Sequence, residues 1–415
     1  MDVHQPLALL AGLSPAQFMR RHWQKKPLVV RRAIAGFQPQ LDRAALMKMA
    51  AREDVESRLI VQSSGGWTMK KGPFPAKSLP RPSQPGWTLL LQGMDLHDQT
   101  AHELLRQFSF VPSVRLDDVM VSFATPGGGV GPHFDSYDVF LFQASGQRRW
   151  RISRQKDLRL QAGVPLKILE NFVSDEEFVL NAGDMLYLPP RYAHDGVAEA
   201  GIASDGKAAD CMTYSIGFRA PARSELASEL LRRLADMGDD ANDAAQEAGS
   251  EQKASAARKS AYYRDPQQPA TVNSAALPSA LGEFAAQTVR DALKDPLALA
   301  CALGEYLSEP KPGVWFDAAE SEWQTKAARL GLVGVALDAR SLMLYDDAHI
   351  FINGESYRAN GADARLMRRL ADQRYLDGRD LVKASTAALA LLADWHEAGW
   401  LHQVANNVPA VPVAP

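Results

Sequence analysis

The feature that most narrows the fold of this chain is a change of rhythm near residue 115. From there to about 220, short β-branched and aromatic runs alternate with Gly/Pro turns: 119–123, 139–142, 150–152, 178–180, 185–188 and 212–218. Several short strands punctuated this way predict a β-sandwich or barrel. Before and after this stretch the pattern is helical. Ser14-Pro15 reads as a cap followed by proline at the first helical position, with Phe18, His22 and Trp23 sharing a face. A short strand follows at 28–30, and residues 43–52 read as a second helix.

Beyond Phe218, residues 224–234 carry Leu226, Leu230 and Leu234 on one helical face. Residues 236–260 are polar, with almost no large apolar side chains, and read as a flexible insertion or polar helix. Helices resume over 279–308, and Pro310-Lys311-Pro312 marks a boundary. The last hundred residues mix two strand-like runs, 341–345 and 348–352, with helical segments near 361–372 and 384–398. Asp346-Asp347 sits between the runs as a hairpin turn would, which suits a small winged-helix-like module. The chain is 415 residues long, a soft prior of about two to three domains. The expected division is an α+β chain with an oxygen-chemistry barrel and N-terminal helices over 1–220, a helical region over 221–310, and a winged-helix-like domain over 311–415.

Composition removes several classes. Hydrophobic residues at 46% and charged residues at 23% exclude a disordered or fibrous chain. A net charge of -3 argues against a bulk polyanion binder, so no direct nucleic-acid binding is expected. The two cysteines, Cys211 and Cys301, form no CxxC pair and fit a reducing compartment as small buried apolar residues. No apolar run approaches the ~20 residues of a membrane span, and no basic region precedes the first apolar stretch. A cytoplasmic protein with no membrane association is expected.

The chemistry lies in Gly131-Pro132-His133-Phe134-Asp135. On a strand, residues two apart share a face, so His133 and Asp135 would both point into the barrel. One imidazole and one carboxylate are two thirds of a facial metal triad. A third ligand should come from a distant strand. Gly183-Asp184 reads as a turn, Met185–Leu188 as a strand, and Pro189-Pro190 as a bend, after which the next strand begins at His194. This order is the grammar of a double-stranded β-helix. His-x-Asp alone arises often by chance on exposed strands; joined to the Gly-Asp…Pro-Pro…His block it becomes specific. His4, His22, His97, His102, His349, His396 and His402 have no paired ligand spacing and read as ordinary surface or satisfied histidines.

In Gly146-Gln147-Arg148-Arg149-Trp150, Arg148 and Trp150 share one face of a strand and Arg149 takes the other. If Arg148 points inward, its guanidinium needs a carboxylate. A bound dicarboxylate would serve, with 2-oxoglutarate chelating iron at one end and meeting Arg148 at the other. Three protein ligands leave positions for that chelate and for dioxygen. The run Pro126-Gly127-Gly128-Gly129-Val130-Gly131 leads into a strand rather than opening a helix, so it reads as a tight connection beside the metal, not a phosphate loop.

The stretch 127–150, with 183–194, resembles the bacterial ribosomal oxygenases of the JmjC/cupin superfamily, in particular the group that hydroxylates an arginine of ribosomal protein L-sixteen. Trp23-Gln24-Lys25-Lys26-Pro27-Leu28, Tyr262-Tyr263-Arg264-Asp265-Pro266 and the stretch 304–312 are similar as well. The resemblance implies a JmjC barrel, a helical dimerisation region and a C-terminal winged helix. It implies Fe(II) on His133, Asp135 and His194, 2-oxoglutarate on Arg148, and O2 as co-substrate. The implied reaction is hydroxylation at the β-carbon of one arginine in a large-subunit ribosomal protein, by a homodimer. A substrate guanidinium wants an acid and an aromatic face; Asp118 and Tyr137 are the candidates. Two alternatives stay open: the same chemistry on a histidyl or methyl-lysyl side chain, and a non-catalytic metal-binding cupin that acts as a regulator.

Overall fold

The computed structural model describes residues 2–37, 39–201, 210–247 (backbone alone over 238–247), 263–270, 275–319, 323 and 332–406. The chain divides into two compact units, one up to Ala220 and one from Pro221 onward.

The first unit opens as its sequence predicts. Ser14 accepts from the Gln17 amide, and Gln17 returns a bond to the Ser14 amide, so a capping box starts α1 (Pro15–Arg21). Phe18, fully buried, stacks on His22 and meets Trp23 edge-on. After β1 (Leu28–Val30) and α2 (Arg43–Met49) come three strands that the sequence reading leaves out: β2 (Ser57–Ser63), β3 (Gly66–Lys71) and β4 (Trp87–Leu91). Helix α3 (Gln99–Arg106) precedes the strand-rich stretch. That stretch holds β5 (Leu116–Ala124), β6 (Val139–Ser145), β7 (Gln147–Ser153), β8 (Glu176–Asn181), β9 (Met185–Leu188), β10 (Ala193–Ala198) and β11 (Cys211–Phe218).

Eight of these strands form one sheet in the order β1-β9-β6-β11-β5-β4-β2-β3, and three form a second in the order β10-β7-β8. All pairings are antiparallel. Strict alternation sorts the side chains. Phe140 and Phe142 of β6, Tyr187 of β9, and Tyr214, Ile216 and Phe218 of β11 pack with Phe18 and Phe108 in one core. Their neighbours Val139, Leu141, Leu186 and Leu188 join Trp150, Ile152 and Leu180 of the smaller sheet in another. That second core draws on both sheets, so it fills the barrel interior between them.

In the second unit, α4 (Arg223–Glu247) carries the polar stretch as helix as far as Glu247. The remainder of the expected 236–260 insertion lies outside the described residues, as does Tyr262 of the Tyr-Tyr-Arg-Asp-Pro motif. Helices α5 (Ser279–Ala292) and α6 (Pro296–Ser308) follow; α5 has no buried residue. Then come β12 (Val333–Leu337), a meander of β13 (Met343–Tyr345), β14 (His349–Ile352) and β15 (Glu355–Arg358), then α7 (Gly361–Gln373), β16 (Tyr375–Leu376), α8 (Gly378–Leu381), α9 (Thr386–Glu397) and β17 (Leu401–Ala405). Asp346 takes the expected turn between β13 and β14, its amide donating to the His349 carbonyl at 3.1 Å. Val335, Ile350, Ile352, Leu370, Leu392, Trp395 and Leu401 build the core. A Cβ on Gly304 of α6 would lie 2.3 Å from the Phe351 ring, so the helix can meet β14 only at a glycine. Among the described residues no helix is long and apolar enough to cross a membrane.

Candidate metal centre

Strand β10 carries His194 and is bonded on both sides. On one side β7 pairs with it in the register His194↔Ile152, Gly196↔Trp150 and Ala198↔Arg148. On the other runs the Gly-rich segment. Gly127 donates to Ala198 at 2.9 Å, Ala198 donates to Gly128 at 2.9 Å, and His133 and His194 exchange backbone bonds of 2.9 and 2.8 Å. The glycines allow this approach: a Cβ on Gly129 would lie 2.5 Å from the Gly196 carbonyl oxygen. The run is therefore a close connection along the metal-bearing strand, as its sequence suggested.

One expectation needs correction. The His-x-Asp pair does not lie on a regular strand: the only bridge is His133↔His194, and Asp135 falls beyond it. Gly131 at φ +77° and Pro132 interrupt the ladder before His133, so i, i+2 alternation is not what aims the carboxylate. The three groups meet nonetheless. Ligand atoms of His133, Asp135 and His194 all lie within 4.8 Å of one another. The His194 Nε2 stands 3.7 Å from Asp135 Oδ2, and the two imidazole centroids are 4.2 Å apart.

The donor set suits a divalent cation such as iron. His133 Nδ1 lies 2.8 Å from the Gly131 carbonyl, and His194 Nδ1 lies 2.9 Å from the Tyr192 carbonyl. A carbonyl can only accept, so each Nδ1 carries the proton and each Nε2 keeps its lone pair. Burial first, and His133 second, push the His194 imidazole down to about 4, so it is neutral at ordinary pH. Two neutral imidazoles and one carboxylate form a facial two-histidine, one-carboxylate set that leaves positions open on the metal.

Arg148 points inward. Arg148, Trp150 and Ile152 are buried on one face of β7, while Arg149 faces out to Glu177 and Glu199, each at 2.6 Å. The Arg148 Nε and Nη2, and the Trp150 Nε1, are buried without a hydrogen-bond partner, and among the described residues no carboxylate pairs with Arg148. Its Cζ stands 5.8 Å from the Trp150 ring centroid, and Trp150 in turn lies 5.9 Å from His194. A desolvated guanidinium with unmet donors is costly, and a carboxylate brought by a ligand would satisfy it.

Asp118 is buried on the face of β5 opposite Val119, Val121 and Phe123. Its Oδ2 accepts from Gln92 Nε2 at 2.5 Å and from the Gly93 amide at 3.0 Å. Tyr137 is 37% exposed. Partial burial, then Asp135, Asp118 and Asp117, push its phenol above the usual range. The fold thus gathers three carboxylates around this ring. Asp117 is absent from the sequence reading, because its share in the cluster depends on long-range packing that no spacing announces.

Comparison with known proteins places these observations. Residues 103–226 match the JmjC domain family, and residues 291–402 match the ROXA-like winged helix. The chain is 38% identical over 214 residues to the ribosomal protein uL16 3-hydroxylase of Escherichia coli, covering 51% of this chain and 54% of that one. It is 34% identical over 236 residues to a probable ribosomal oxygenase of Haemophilus influenzae, covering 55% of each. The aligned part thus spans about half the length of these relatives. Over the whole fold the likeness is broader. A crystal structure of E. coli ycfD superposes with a TM-score of 0.75 at 28% identity, covering 94% of this chain and 98% of that one. A structure of YcfD with cobalt and 2-oxoglutarate gives a TM-score of 0.72 with the same coverage.

Proposed function

Given a chain that belongs to the JmjC/cupin superfamily, we propose that it is an Fe(II)- and 2-oxoglutarate-dependent oxygenase. Its substrate is an arginine of the large-subunit ribosomal protein L-sixteen, hydroxylated at the β-carbon. The observation that carries this reading is the convergence of His133, Asp135 and His194 with their Nε2 lone pairs and carboxylate turned to one point.

His133, Asp135 and His194 hold the metal. The ferrous ion, with 2-oxoglutarate and O2 as co-substrates, supplies the oxidising power that replaces a C–H bond by C–OH. Arg148 takes the far carboxylate of the keto-diacid through its two unmet donors. This requirement favours an enzyme over a metal-binding regulator, which has no use for a buried oxo-acid clamp. Trp150, between Arg148 and His194, walls that channel with an apolar ring. Asp118 and Tyr137 receive the substrate guanidinium: the first is an acid held in one orientation by Gln92 and Gly93, the second an aromatic face among carboxylates.

The protein works in the cytoplasm as a homodimer. The exposed Leu281 and Val289 of α5, with Leu293 and Leu297 beside them, offer the apolar surface for pairing. The helical region over 221–310 serves dimerisation, and 311–415 forms the winged helix. The test is incubation of the protein with iron, 2-oxoglutarate, O2 and the purified ribosomal protein, followed by fragment mass spectrometry. One added oxygen on an arginine side chain, absent with His133→Ala, is expected. Oxidation confined to a histidine, loss of methyl groups from a lysine, or no change in any residue contradicts the reading.

A further inference from the structure

Two of the three ligands are held by a ladder, and the third is not. His194 lies inside β10, and His133 is bonded to it through both its amide and its carbonyl. Asp135 lies past the end of that ladder. Among the described residues, the one backbone bond to it comes from the amide of Arg191, 2.7 Å from the Asp135 carbonyl.

Arg191 occupies an unusual position. The Tyr192 amide bonds to the Pro189 carbonyl at 3.3 Å, closing a four-residue turn with Pro190 second and Arg191 third. Proline holds φ near -65°, and Arg191 has φ +64°. Negative then positive φ at the two central places is a type II turn, which asks for glycine or asparagine in the third place. A type I turn is open to most residues, but it inverts the central Pro190–Arg191 peptide. It would then swing the Arg191 amide away and bring the Pro190 carbonyl toward the Asp135 carbonyl, oxygen against oxygen. The turn type therefore decides whether the carboxylate ligand is gripped or repelled.

We propose that the type II turn at Pro189–Tyr192 is the positioning device for Asp135, with Arg191 acting through its main-chain amide. The inference rests on the metal site proposed above. Its consequence is that metal affinity tracks the tolerance of residue 191 for a left-handed backbone, not its charge or size. The Arg191 guanidinium lies 5.7 Å from the Phe134 ring centroid, which offers a competing route through the side chain.

The test is Co(II) binding to the full-length protein, read as dissociation constant and visible absorption spectrum, for Arg191→Gly, Arg191→Asn and Arg191→Val. Thermal unfolding of each metal-free protein runs alongside. Glycine and asparagine are expected to bind Co(II) within about twofold of the parent or more tightly, with its spectrum. Valine, β-branched and strained at positive φ, is expected to bind about tenfold more weakly with an altered spectrum. Equal binding and spectrum for valine and parent overturn the proposal, and so does weakened binding for glycine, which points to the side chain. Should the valine variant fail to fold, the glycine and asparagine results still decide between backbone and side chain. Absence of Co(II) binding by the parent removes the metal site itself, a separate failure.

Discussion

At the scale of single residues, the site is a set of choices made by hydrogen bonds. The Gly131 and Tyr192 carbonyls select the tautomer of each imidazole, and burial keeps His194 neutral. Arg148 is the opposite case, a charge kept buried with two donors unmet. This contrast predicts a trade. Arg148→Met should raise the KM for 2-oxoglutarate on the order of 100-fold, from loss of a buried charged pair of about 3 kcal/mol. The same change should raise the unfolding temperature of the ligand-free protein, since an unpaired buried charge gives way to an apolar side chain. Steady-state kinetics and calorimetry read the two effects; a lower melting temperature with unchanged KM would place the guanidinium elsewhere in function. The three ligands were legible because two sit in one pentapeptide and the third follows a turn–strand–Pro-Pro signature. Asp117 was not, since nothing local ties it to Tyr137.

At the scale of elements, close contact between neighbouring segments sets the position of the ligands. A Cβ on Gly196 would stand 2.6 Å from the Trp150 ring, which itself leans toward His194. Gly196→Ala should therefore cost about 1–3 kcal/mol by overpacking and weaken metal binding with it. Denaturant unfolding and Co(II) titration check this; parent-like values in both would show that Trp150 has room to move. In the winged-helix unit, Asp338 accepts from Arg340 and His402 and is pushed down to about 2. A carboxyl depressed below its unfolded value stabilises above that unfolded value and loses the effect as pH falls through the folded one. The stability gap between the parent and Asp338→Asn should thus be full above about pH 4 and vanish near pH 2, as acid unfolding would reveal. Strands β2, β3 and β4 escaped the sequence reading for physical reasons. β4 is buried throughout and shows no alternation, while β3 is a mostly exposed sheet edge of glycine, threonine and lysines. The Asp135 segment misled in the other direction, because an i, i+2 pattern does not reveal that a ladder stops after one bridge.

At the scale of the whole molecule, the same chain joins a barrel that binds small ligands to a helical unit whose α5 buries none of its own residues. The pairing proposed for that surface predicts a particle of twice the 45.4 kDa chain mass at micromolar concentration. Charged substitutions at Leu281 and Val289 should shift it to single chains in light scattering. A parent that is monomeric throughout would leave α5 without the assigned role. The division into a strand-rich barrel and a hairpin-bearing helical module was readable from rhythm alone, since period-two and helical patterns separate near Phe218. The core packing of α6 against β14 was not, because it hangs on the absence of a side chain at Gly304. Anaerobic titration of the full-length protein with Fe(II) and 2-oxoglutarate, followed by visible absorption of the chelate, reaches the shared premise of every reaction step. A saturable band in the parent, weakened in Arg148→Met and lost in both Asp135→Ala and His194→Ala, is the expected result. An undiminished band in His194→Ala would contradict it.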